Sequence, residues 1–249
     1  MIKKEITKNF PNCSEDFSGY LSLGTITSDS FYPNSSYIKV DEFIEPISNT
    51  MFRYCSPISF QRLLDGSKGL KIINNSKLCI TDDALYEVYT MNEKAREIAM
   101  AELPAIVPEG LNRQQVEDLL YTYFVDNIPY CAAGRTSEAV SCRYQSAYTT
   151  LLDKTGMCSS FSFAYRAYYE NVPFNPGTGL TDWGCDAPIY RTSYISHNPS
   201  HVWITIPQDD NSLVDYDITF GKYNSAKWMR KSHEWMAAQS SHQNPGIYY

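Results

Sequence analysis

The sequence predicts an α+β protein, with helices in its middle and an antiparallel strand pair towards its end. Apolar residues recur at the spacing of an α-helix in residues 82–103 and 112–128, and again from residue 158 onwards. Residues 201–206 and 213–219 instead alternate apolar with polar side chains and are rich in β-branched residues. A polar loop separates these two runs, which is typical of a β-hairpin. Helices followed by antiparallel strands indicate the α+β class.

The N-terminal third has weaker periodicity. Residues 1–40 show no sustained apolar period and are predicted to be irregular structure that covers a core. Residues 69–73 and 77–80 are predicted to form a small hairpin, because a polar Asn-Asn-Ser turn separates two apolar runs. We therefore divide the chain into an N-terminal extension, residues 1–80, that packs on a core domain of residues 81–249.

Two helices are predicted to pack against the rest of the core. The first begins at Asp82 or Asp83 and is expected to end before Pro104. The second has a capping-box pattern, Asn112 with Gln115 three residues on, and ends before Pro129. Each helix has one apolar face; that of the second carries Val116, Leu119, Leu120, Tyr123 and Phe124.

Composition excludes several classes of partner. There are 21 Lys and Arg against 28 Asp and Glu, and the resulting net charge of −7 argues against a nucleic-acid partner. No apolar stretch approaches the ~20 residues of a membrane span. The first ten residues lack the apolar centre of a signal peptide, so a soluble protein is expected. The histidines and cysteines have no zinc-site spacing, and no metal or other cofactor is expected.

Seven cysteines leave the compartment open. Six of them form an even set beside Cys158, which suits three disulfides in an exported protein or buried free thiols in a reducing compartment. Cys131 and Cys142 are the best candidates for a single bridge, because a polar loop that contains glycine separates them.

Cys158 is the candidate nucleophile. It is predicted to begin a helix, because four aromatic residues after it share one helical face: Phe161, Tyr165, Tyr168 and Tyr169. Gly156 is expected to interrupt the preceding segment. At a helix N-terminus, unpaired backbone N–H groups and the positive end of the dipole stabilise a thiolate and a developing oxyanion.

A histidine and an aspartate in the predicted hairpin complete a triad. His201, Trp203 and Thr205 share one face of the first strand, and Asp215 and Asp217 share a face of the second. If paired residue numbers sum to 418 or 419, His201 lies opposite Asp217 or its neighbour, and Asp215 lies near Trp203. Asp217 is therefore the predicted partner, which fixes the imidazole so that its other nitrogen takes the thiol proton.

These residues resemble a known family. Gly156-Met157-Cys158, His201-Val202-Trp203 and Asp217-Ile218-Thr219 are similar to motifs of the transglutaminase-like superfamily of cysteine acyl-transfer enzymes. Residues 146–152 also resemble the helix that leads to the nucleophile in bacterial single-domain members. The resemblance implies a papain-like core, in which the nucleophile helix packs on an antiparallel sheet. It also implies that Cys158 is the nucleophile, His201 the base and Asp217 its orienting group.

The implied reaction passes through a thioester. Transfer of the acyl group to water would make the protein a peptidase, amidase or glutamine deamidase that acts on a protein or peptide; transfer to lysine would make it a transglutaminase. Hydrolysis is favoured, because the acidic residues lack the spacing of a calcium loop. The alternative is a binding module for peptide or glycan in which the triad is a remnant.

Five further residues are predicted to contact the substrate. The loop of residues 172–200 is interpreted as a lid over the site, although a structural tether is the alternative. Gln145 and Tyr148, which precede the nucleophile in the chain, are the candidates for a second oxyanion donor. The predicted substrate-binding residues are Gln145, Tyr148, Trp183, Tyr194 and Trp203.

Two expectations concern the end of the chain. Residues 227–236 are predicted to form one helix, with Trp228 and Trp235 on the same face. Residues 240–249 are predicted to be mobile unless their tyrosines dock.

Overall fold

The computed structural model describes the backbone of residues 20–25, 42–43, 54, 70–73, 77–131, 146–198 and 200–248, and the side chains of residues 54, 91–131, 146–198 and 200–246. Helices and antiparallel sheets are both present, so the α+β class is confirmed. The strands are β1 (Tyr20–Thr25), β2 (Glu42–Phe43), β3 (Leu70–Ile73), β4 (Lys77–Thr81), β5 (Tyr194–Asn198), β6 (His201–Pro207), β7 (Leu213–Tyr216), β8 (Lys231–Ser232) and β9 (Gly246–Tyr248). The helices are α1 (Asp82–Ile106), α2 (Arg113–Asn127), α3 (Ala147–Asp153), α4 (Cys158–Tyr169), α5 (Ile218–Gly221), α6 (Ser225–Trp228) and α7 (His233–Ala237).

The strands form two antiparallel sheets. The first has the order β2-β1-β4-β3, and the second has the order β8-β7-β6-β5-β9. The predicted hairpin of β3 and β4 is confirmed, with Leu70 paired to Ile80. The expectation that residues 1–40 are irregular is wrong for residues 20–25, which form β1 on the other edge of β4. Strand β1 forms because it pairs with β4, far along the chain, and no apolar period in its own sequence predicts it. The boundary at residue 80 stays a prediction.

Helix α1 continues through Pro104, so the expected end before this residue is wrong. Proline has no N–H, and its ring displaces the carbonyl four residues earlier, so it normally ends a helix. Here the proline is exposed in the last turn. Leu103 and Val107, one turn apart, form a fully buried stripe, and the Val107 N–H donates to the Leu103 carbonyl over 2.8 Å. Burial of that stripe outweighs the loss of one backbone bond.

Helix α2 has the predicted capping box. The Asn112 side chain accepts from the Gln115 N–H over 3.0 Å, and the Gln115 side chain accepts from the Asn112 N–H over 2.9 Å. The predicted apolar stripe is confirmed, with Val116, Leu120 and Phe124 fully buried. Helix α2 therefore packs on the core along the predicted face.

A buried carboxylate, unforeseen from the sequence, ties α2 to the second sheet. Glu117 is 0% exposed. Its oxygens accept from Arg113 over 2.8 Å, from Arg230 over 2.6 Å and from the Tyr169 hydroxyl over 3.2 Å. Two guanidinium groups offset the cost of burying this charge. Removing either arginine would leave the carboxylate with fewer donors in the interior.

Helix α4 lies at the centre of the core. Every residue from Ser159 to Tyr169 is buried. The Tyr165 ring contacts Phe124 of α2 at 6.1 Å between centroids and stacks on Tyr216 of β7 at 6.2 Å. The helix is thus held between α2 and one face of the second sheet, which fixes the position of its first residue, Cys158.

The β6–β7 hairpin differs from the predicted register. Thr205 pairs with Asp215 and Pro207 with Leu213, so paired numbers sum to 420, not to 418 or 419. The strand extends to Pro207, which needs no N–H at the strand end. The loop then closes with the Gln208 N–H donating to the Ser212 carbonyl over 2.8 Å. Asp217 lies just beyond β7 and caps α5, accepting from the Phe220 N–H over 3.0 Å.

The C-terminal part also differs from expectation. The single helix predicted for residues 227–236 is interrupted: α6 and α7 are separated by β8 and by Arg230, which has a φ of 48°. Residues 246–248 form β9 on the edge of β5, with Ile195 paired to Tyr248. This part of the tail is therefore docked, and residues 240–245 are held between α7 and β9.

The cysteines with described side chains are free thiols. Cys131 is buried, and Cys142, its predicted disulfide partner, lies outside the described residues. Cys158 and Cys185 are half-buried free thiols. Within the described ranges, no helix has the length and apolar character needed to cross a bilayer.

Candidate active site

The turn that delivers Cys158 is fixed on both sides. Helix α3 ends at Asp153 and is capped by Lys154, which has a left-handed φ of 50°. The Lys154 ammonium donates to both oxygens of Glu102 over 2.6 Å. Gly156 is needed for close packing: a Cβ there would lie 2.6 Å from Ser160 Oγ. Its carbonyl accepts from the Cys131 N–H over 2.7 Å, so the turn is anchored to the segment after α2.

Cys158 is the first residue of α4, as predicted, and its side chain is half-buried. Ser160 Oγ accepts from the Met157 N–H over 2.7 Å and steadies the chain as it enters the helix. The first N–H groups of a helix have no acceptor within the helix. The backbone N–H of Cys158 is therefore placed to donate to an oxyanion that forms on an acyl group attached to the sulfur.

His201 begins β6 and is held from three sides. Its backbone N–H donates to Asn198 Oδ1 over 2.9 Å. Its ring stacks on Trp203 with 22° between the planes, and it meets the edge of Phe220 at 5.0 Å. Nε2 lies 2.7 Å from Asp217 Oδ2, so the predicted bond between these two side chains is present. The Cys158 thiol lies close enough to the imidazole to raise its pKa, and Nδ1 is the ring nitrogen that Asp217 does not bond.

The charges of the site depend on one another. Burial alone would lower the pKa of His201, but the Asp217 carboxylate and hydrogen bonds with Asp217 and Cys158 raise it to about 10. Burial favours a neutral Asp217, but the charge of His201 and donors from His201, His242 and the Phe220 N–H lower the pKa of Asp217. At neutral pH an imidazolium and a carboxylate therefore face each other in a site that is nearly closed to water.

His242 is the residue of this cluster that sequence reasoning missed. It is 0% exposed, and its Nε2 lies 2.7 Å from the same Asp217 Oδ2 that bonds His201. No local sequence pattern marks it. Its place depends on the segment between α7 and β9, which the sequence did not predict to be ordered.

His201, Asp217 and His242 also carry donor atoms of a kind that binds metal ions, with one atom from each within 4.8 Å of the others. Ligand atoms around tetrahedral zinc lie about 3.3 Å apart, given Zn–N distances of about 2.0 Å. Both N–O separations here are 2.7 Å, the distance of a charge-assisted hydrogen bond. The geometry thus favours protons, and not a shared ion, between these groups.

Trp203 was predicted to contact substrate, and the structure places it in the interior instead. Its side chain is 1% exposed and belongs to an apolar cluster with Trp228 and Met236. Its indole N–H donates to Asp215 Oδ2 over 3.0 Å. A buried and fully bonded tryptophan cannot line a cleft. Trp203 supports the His201 ring by stacking on it.

The predicted lid lies at the wrong end of α4. Cys158 and Tyr169 are separated by the length of the helix, about 17 Å at 1.5 Å per residue, and the loop follows Tyr169. Trp183 donates from its indole N–H to the Val107 carbonyl over 2.9 Å, at the end of α1. Tyr194 pairs with Thr205, four residues along β6 from His201. The lid prediction is therefore wrong for residues 172–193, which form a tether between α1, α4 and β5. The rest of the range includes β5, where Asn198 accepts from the His201 N–H.

Two predicted residues precede the nucleophile. Tyr148 of α3 is half-buried and packs on the core, with the Lys94 ammonium 5.7 Å from its ring centroid. Gln145 lies outside the described residues. The assignment of a second oxyanion donor to either residue stays a prediction.

Comparisons with known proteins give little beyond the geometry. No protein-family model matches the chain, and no curated protein matches it. A solved structure described as "a TGase" aligns with a TM-score of 0.33 and 13% identity, over 76% of this chain and 53% of that one. The chain thus spans about half the length of that structure. A superposition at this TM-score is too loose to establish a shared fold, so Cys158, His201 and Asp217 carry the functional assignment.

Proposed function

We propose that the chain is a cysteine-dependent acyl-transfer enzyme of the transglutaminase-like type, which hydrolyses peptide or glutamine-type amide bonds through a thioester. One observation carries the proposal: a single buried imidazole bonds a carboxylate at 2.7 Å and lies close enough to a thiol at a helix N-terminus for that thiol to raise its pKa. This is the arrangement in which a thiol nucleophile is activated by a base that a third group orients. A papain-like core formed by residues 81–249 is part of the same proposal.

In the first half of the reaction, His201 Nδ1 holds the proton that the Cys158 thiol has given up, and the thiolate attacks the amide carbon. The carbonyl oxygen becomes an oxyanion that accepts from the Cys158 N–H. His201 then protonates the departing nitrogen, the C–N bond breaks, and ammonia or an amine leaves behind a thioester. Asp217 stabilises the imidazolium through this step without itself taking the proton.

In the second half, His201 takes a proton from water, and the resulting hydroxide attacks the thioester carbon. The C–S bond breaks and the carboxylic acid leaves, so the Cys158 thiolate and the protonated His201 are restored. His201 therefore serves as base and acid in turn, which requires one fixed ring orientation. The Asp217 bond, the Trp203 stack and the Phe220 edge contact supply this orientation.

The burial of the charged pair favours this function over a remnant site. Asp217 is 0% exposed and His201 is 7% exposed. Removing two charges from water is costly, and well-packed apolar residues of similar volume are often as stable or more stable. A module that only bound peptide or glycan would gain nothing from a buried His201–Asp217 pair, whereas activation of the thiol requires that pair.

Alkylation of single cysteines tests the proposal. Iodoacetamide is reacted with the native protein from about pH 5 to pH 9, and the rate at each cysteine is measured by peptide mass spectrometry. Cys185 is an internal control, because it is also a half-buried free thiol. We expect Cys158 to react rapidly at pH 6 and much faster there than Cys185, because Cys158 has an imidazole beside it. A Cys158 profile that follows that of Cys185 would contradict the proposal.

The acyl acceptor is then identified from products. The wild type and C158A are incubated with a library of glutamine-containing peptides, and the Cys158 peptide is searched for a trapped acyl group. Loss of ammonia with formation of a carboxylic acid supports hydrolysis, and incorporation of an added lysine amine supports transglutamination. Absence of any acyl-enzyme from a protein whose thiol is activated would limit the proposal to thiol chemistry of another kind.

A further inference from the structure

We infer that His242 is a positioning residue that fixes the Asp217 carboxylate, and through it the ring of His201; this inference rests on the proposed function of the site. His242 is 0% exposed and donates to Asp217 Oδ2 over 2.7 Å. It lies 25 residues beyond Asp217 and plays no part in the proton transfers described above. The cluster is therefore a chain of four side chains: thiol, imidazole, carboxylate and second imidazole.

Counting donors shows what the second imidazole does. The carboxylate of Asp217 can only accept, because its pKa is lowered. Oδ1 accepts from the Phe220 N–H over 3.0 Å, and Oδ2 accepts from both imidazoles over 2.7 Å. A carboxylate with one donor on each oxygen can still swing about the line joining the two donors. A second donor on Oδ2, from another direction, removes that freedom.

The same accounting fixes the tautomer of His242. Its Nε2 must carry a hydrogen, because it faces a carboxylate. Ser241 Oγ lies 2.7 Å from Nδ1, so in the neutral ring the serine hydroxyl donates to that nitrogen. Both ring nitrogens of His242 are thus bonded in the interior, where an unbonded nitrogen would be costly.

Packing makes the placement of the ring specific. His242 stacks on Trp228 with 23° between the planes and meets Trp203 at 4.6 Å between centroids. Its plane is at 87° to that of His201, with 5.0 Å between centroids. The two imidazoles therefore approach Oδ2 from different directions. Because Trp203 contacts both rings, a displacement of His242 would be passed to His201 by packing as well as through Asp217.

The backbone that carries His242 is tied to the backbone that carries His201. Asn198 donates from Nδ2 to the Ser241 carbonyl over 2.8 Å, and its Oδ1 accepts from the His201 N–H over 2.9 Å. Beyond His242, β9 extends the sheet on β5. One asparagine thus joins the start of β6 to the segment of the second histidine, so the position of His242 relative to the site is built into the sheet.

Two substitutions separate hydrogen bonding from packing. H242Q keeps an N–H donor for Asp217 and an oxygen that can accept from Ser241. H242F keeps an aromatic ring against Trp228 and Trp203 but offers no donor. A positioning role requires H242F to be impaired and H242Q to be rescued, whereas a purely structural role of the ring would give the reverse order.

The first measurement is the rate of Cys158 alkylation against pH, with urea unfolding of each variant as a control. We expect H242F to slow alkylation at pH 6 by about tenfold, the lower end of the effect of removing a supporting partner. H242Q is expected to retain most of the wild-type rate. The titrating groups that face this ring are Asp217, His201 and, through His201, Cys158. Equal rates for wild type and H242F, or equal losses for H242Q and H242F, would overturn the inference.

The second measurement does not depend on catalysis. In protein labelled with ¹⁵N-histidine, the His201 Nε2–H bonded to Asp217 gives a downfield proton resonance, assigned by its loss in H201Q. We expect this resonance to shift or broaden in H242F and to stay in place in H242Q. If Cys158 is not activated even in the wild type, the proposed function fails, but this resonance still tests His242. A resonance that is unchanged in H242F would overturn the positioning role.

Discussion

Asp215 and Asp217 are both buried and each bonds a histidine, but only the histidine of Asp217 lies beside a thiol. Asp215 accepts from Thr205 on Oδ1 and from Trp203 and His233 on Oδ2. Asp217 accepts from the Phe220 N–H on Oδ1 and from two histidines on Oδ2. Both carboxylates are 0% exposed and have three donors. An aspartate bonded to a histidine is therefore not in itself a catalytic arrangement.

The histidines distinguish the two clusters. His201 is buried, and the Cys158 thiol at the start of α4 is close enough to raise its pKa. The side chain of His233 is 19% exposed, and its charged neighbours are Asp215 and Glu234. The Asp215 cluster joins strands β6 and β7 to α7, whereas the Asp217 cluster places a buried carboxylate and imidazolium beside the Cys158 thiol. A thiol within reach of the second ring nitrogen is what turns a structural pair into a candidate active site.

The largest expected effect separates the two carboxylates. We expect D217N to slow alkylation of Cys158 at pH 6 by about 100-fold or more, because a thiol with an ordinary pKa of about 8.5 is only about 0.3% ionised there. An asparagine in place of Asp217 does not hold the imidazolium. The rate is measured by peptide mass spectrometry at matched protein concentration.

D215N is the matched control for that experiment. It removes a charge of equal burial two residues away, and we expect it to lower the free energy of unfolding by about 1–3 kcal/mol while the alkylation rate changes little. If D215N slows alkylation as much as D217N, the two clusters do not differ in the way described above.

Proton binding provides a second contrast, best measured without the thiol. In C158A, Asp217 still raises the pKa of His201 above its ordinary 6.5. The folded state then holds a proton that the unfolded state has lost, so the free energy of unfolding falls as pH rises from about 6.5 through the raised pKa, by at most about 1.4 kcal/mol per pH unit. Urea unfolding from pH 6 to pH 10 measures this slope.

Histidine replacements in the same C158A background show which histidine causes the fall of the free energy of unfolding with pH. We expect C158A/H201Q to lose the larger share of it. The hydrogen bond to Asp215 also raises the pKa of His233, so C158A/H233Q should lose a smaller share, because His233 is partly exposed. A larger loss on replacing His233 would reverse the contrast between the clusters.

The smallest effect concerns the turn that brings the thiol to His201. In G156A, the added Cβ would lie 2.6 Å from Ser160 Oγ and 2.8 Å from Thr150 Oγ1, so we expect a loss of about 1–3 kcal/mol in the free energy of unfolding and slower alkylation of Cys158. G184A is the control, because the nearest atom to its Cβ would be 3.6 Å away in the exposed tether. Equal stability of the two variants would show that the turn adapts without moving the nucleophile.

The sequence predicts the elements that depend on interactions between residues close together in the chain. The capping box of α2, the aromatic face of α4 and the strands of the hairpin all follow from residue order, and the structure has them. The bond between His201 and Asp217 was predicted from a register that is not the observed one. It forms because Asp217 leaves the strand and caps α5, so strand pairing does not control its direction.

The remaining features depend on contacts between distant segments. His242 reaches Asp217 because α7 and β9 fix the segment between them, and no pattern near residue 242 encodes that path. Trp203 was assigned to substrate because tryptophan suits both a cleft and a core, and only the cover given by Trp228 and Met236 decides between them. The sequence favours a lid where the structure has a tether, because sequence order does not show which end of α4 a loop lies over.

The burial of α4 along its full length has a consequence for how this gene can vary. Each residue from Ser159 to Tyr169 is enclosed, so no side of that helix accepts a replacement without disturbing a neighbour. Selection for folding alone would hold the stretch after the thiol nearly constant, while the exposed Asp209–Ser212 loop would tolerate more replacements. In related sequences, an unchanged stretch after Cys158 would therefore reflect the burial of α4 before it reflected a role in catalysis.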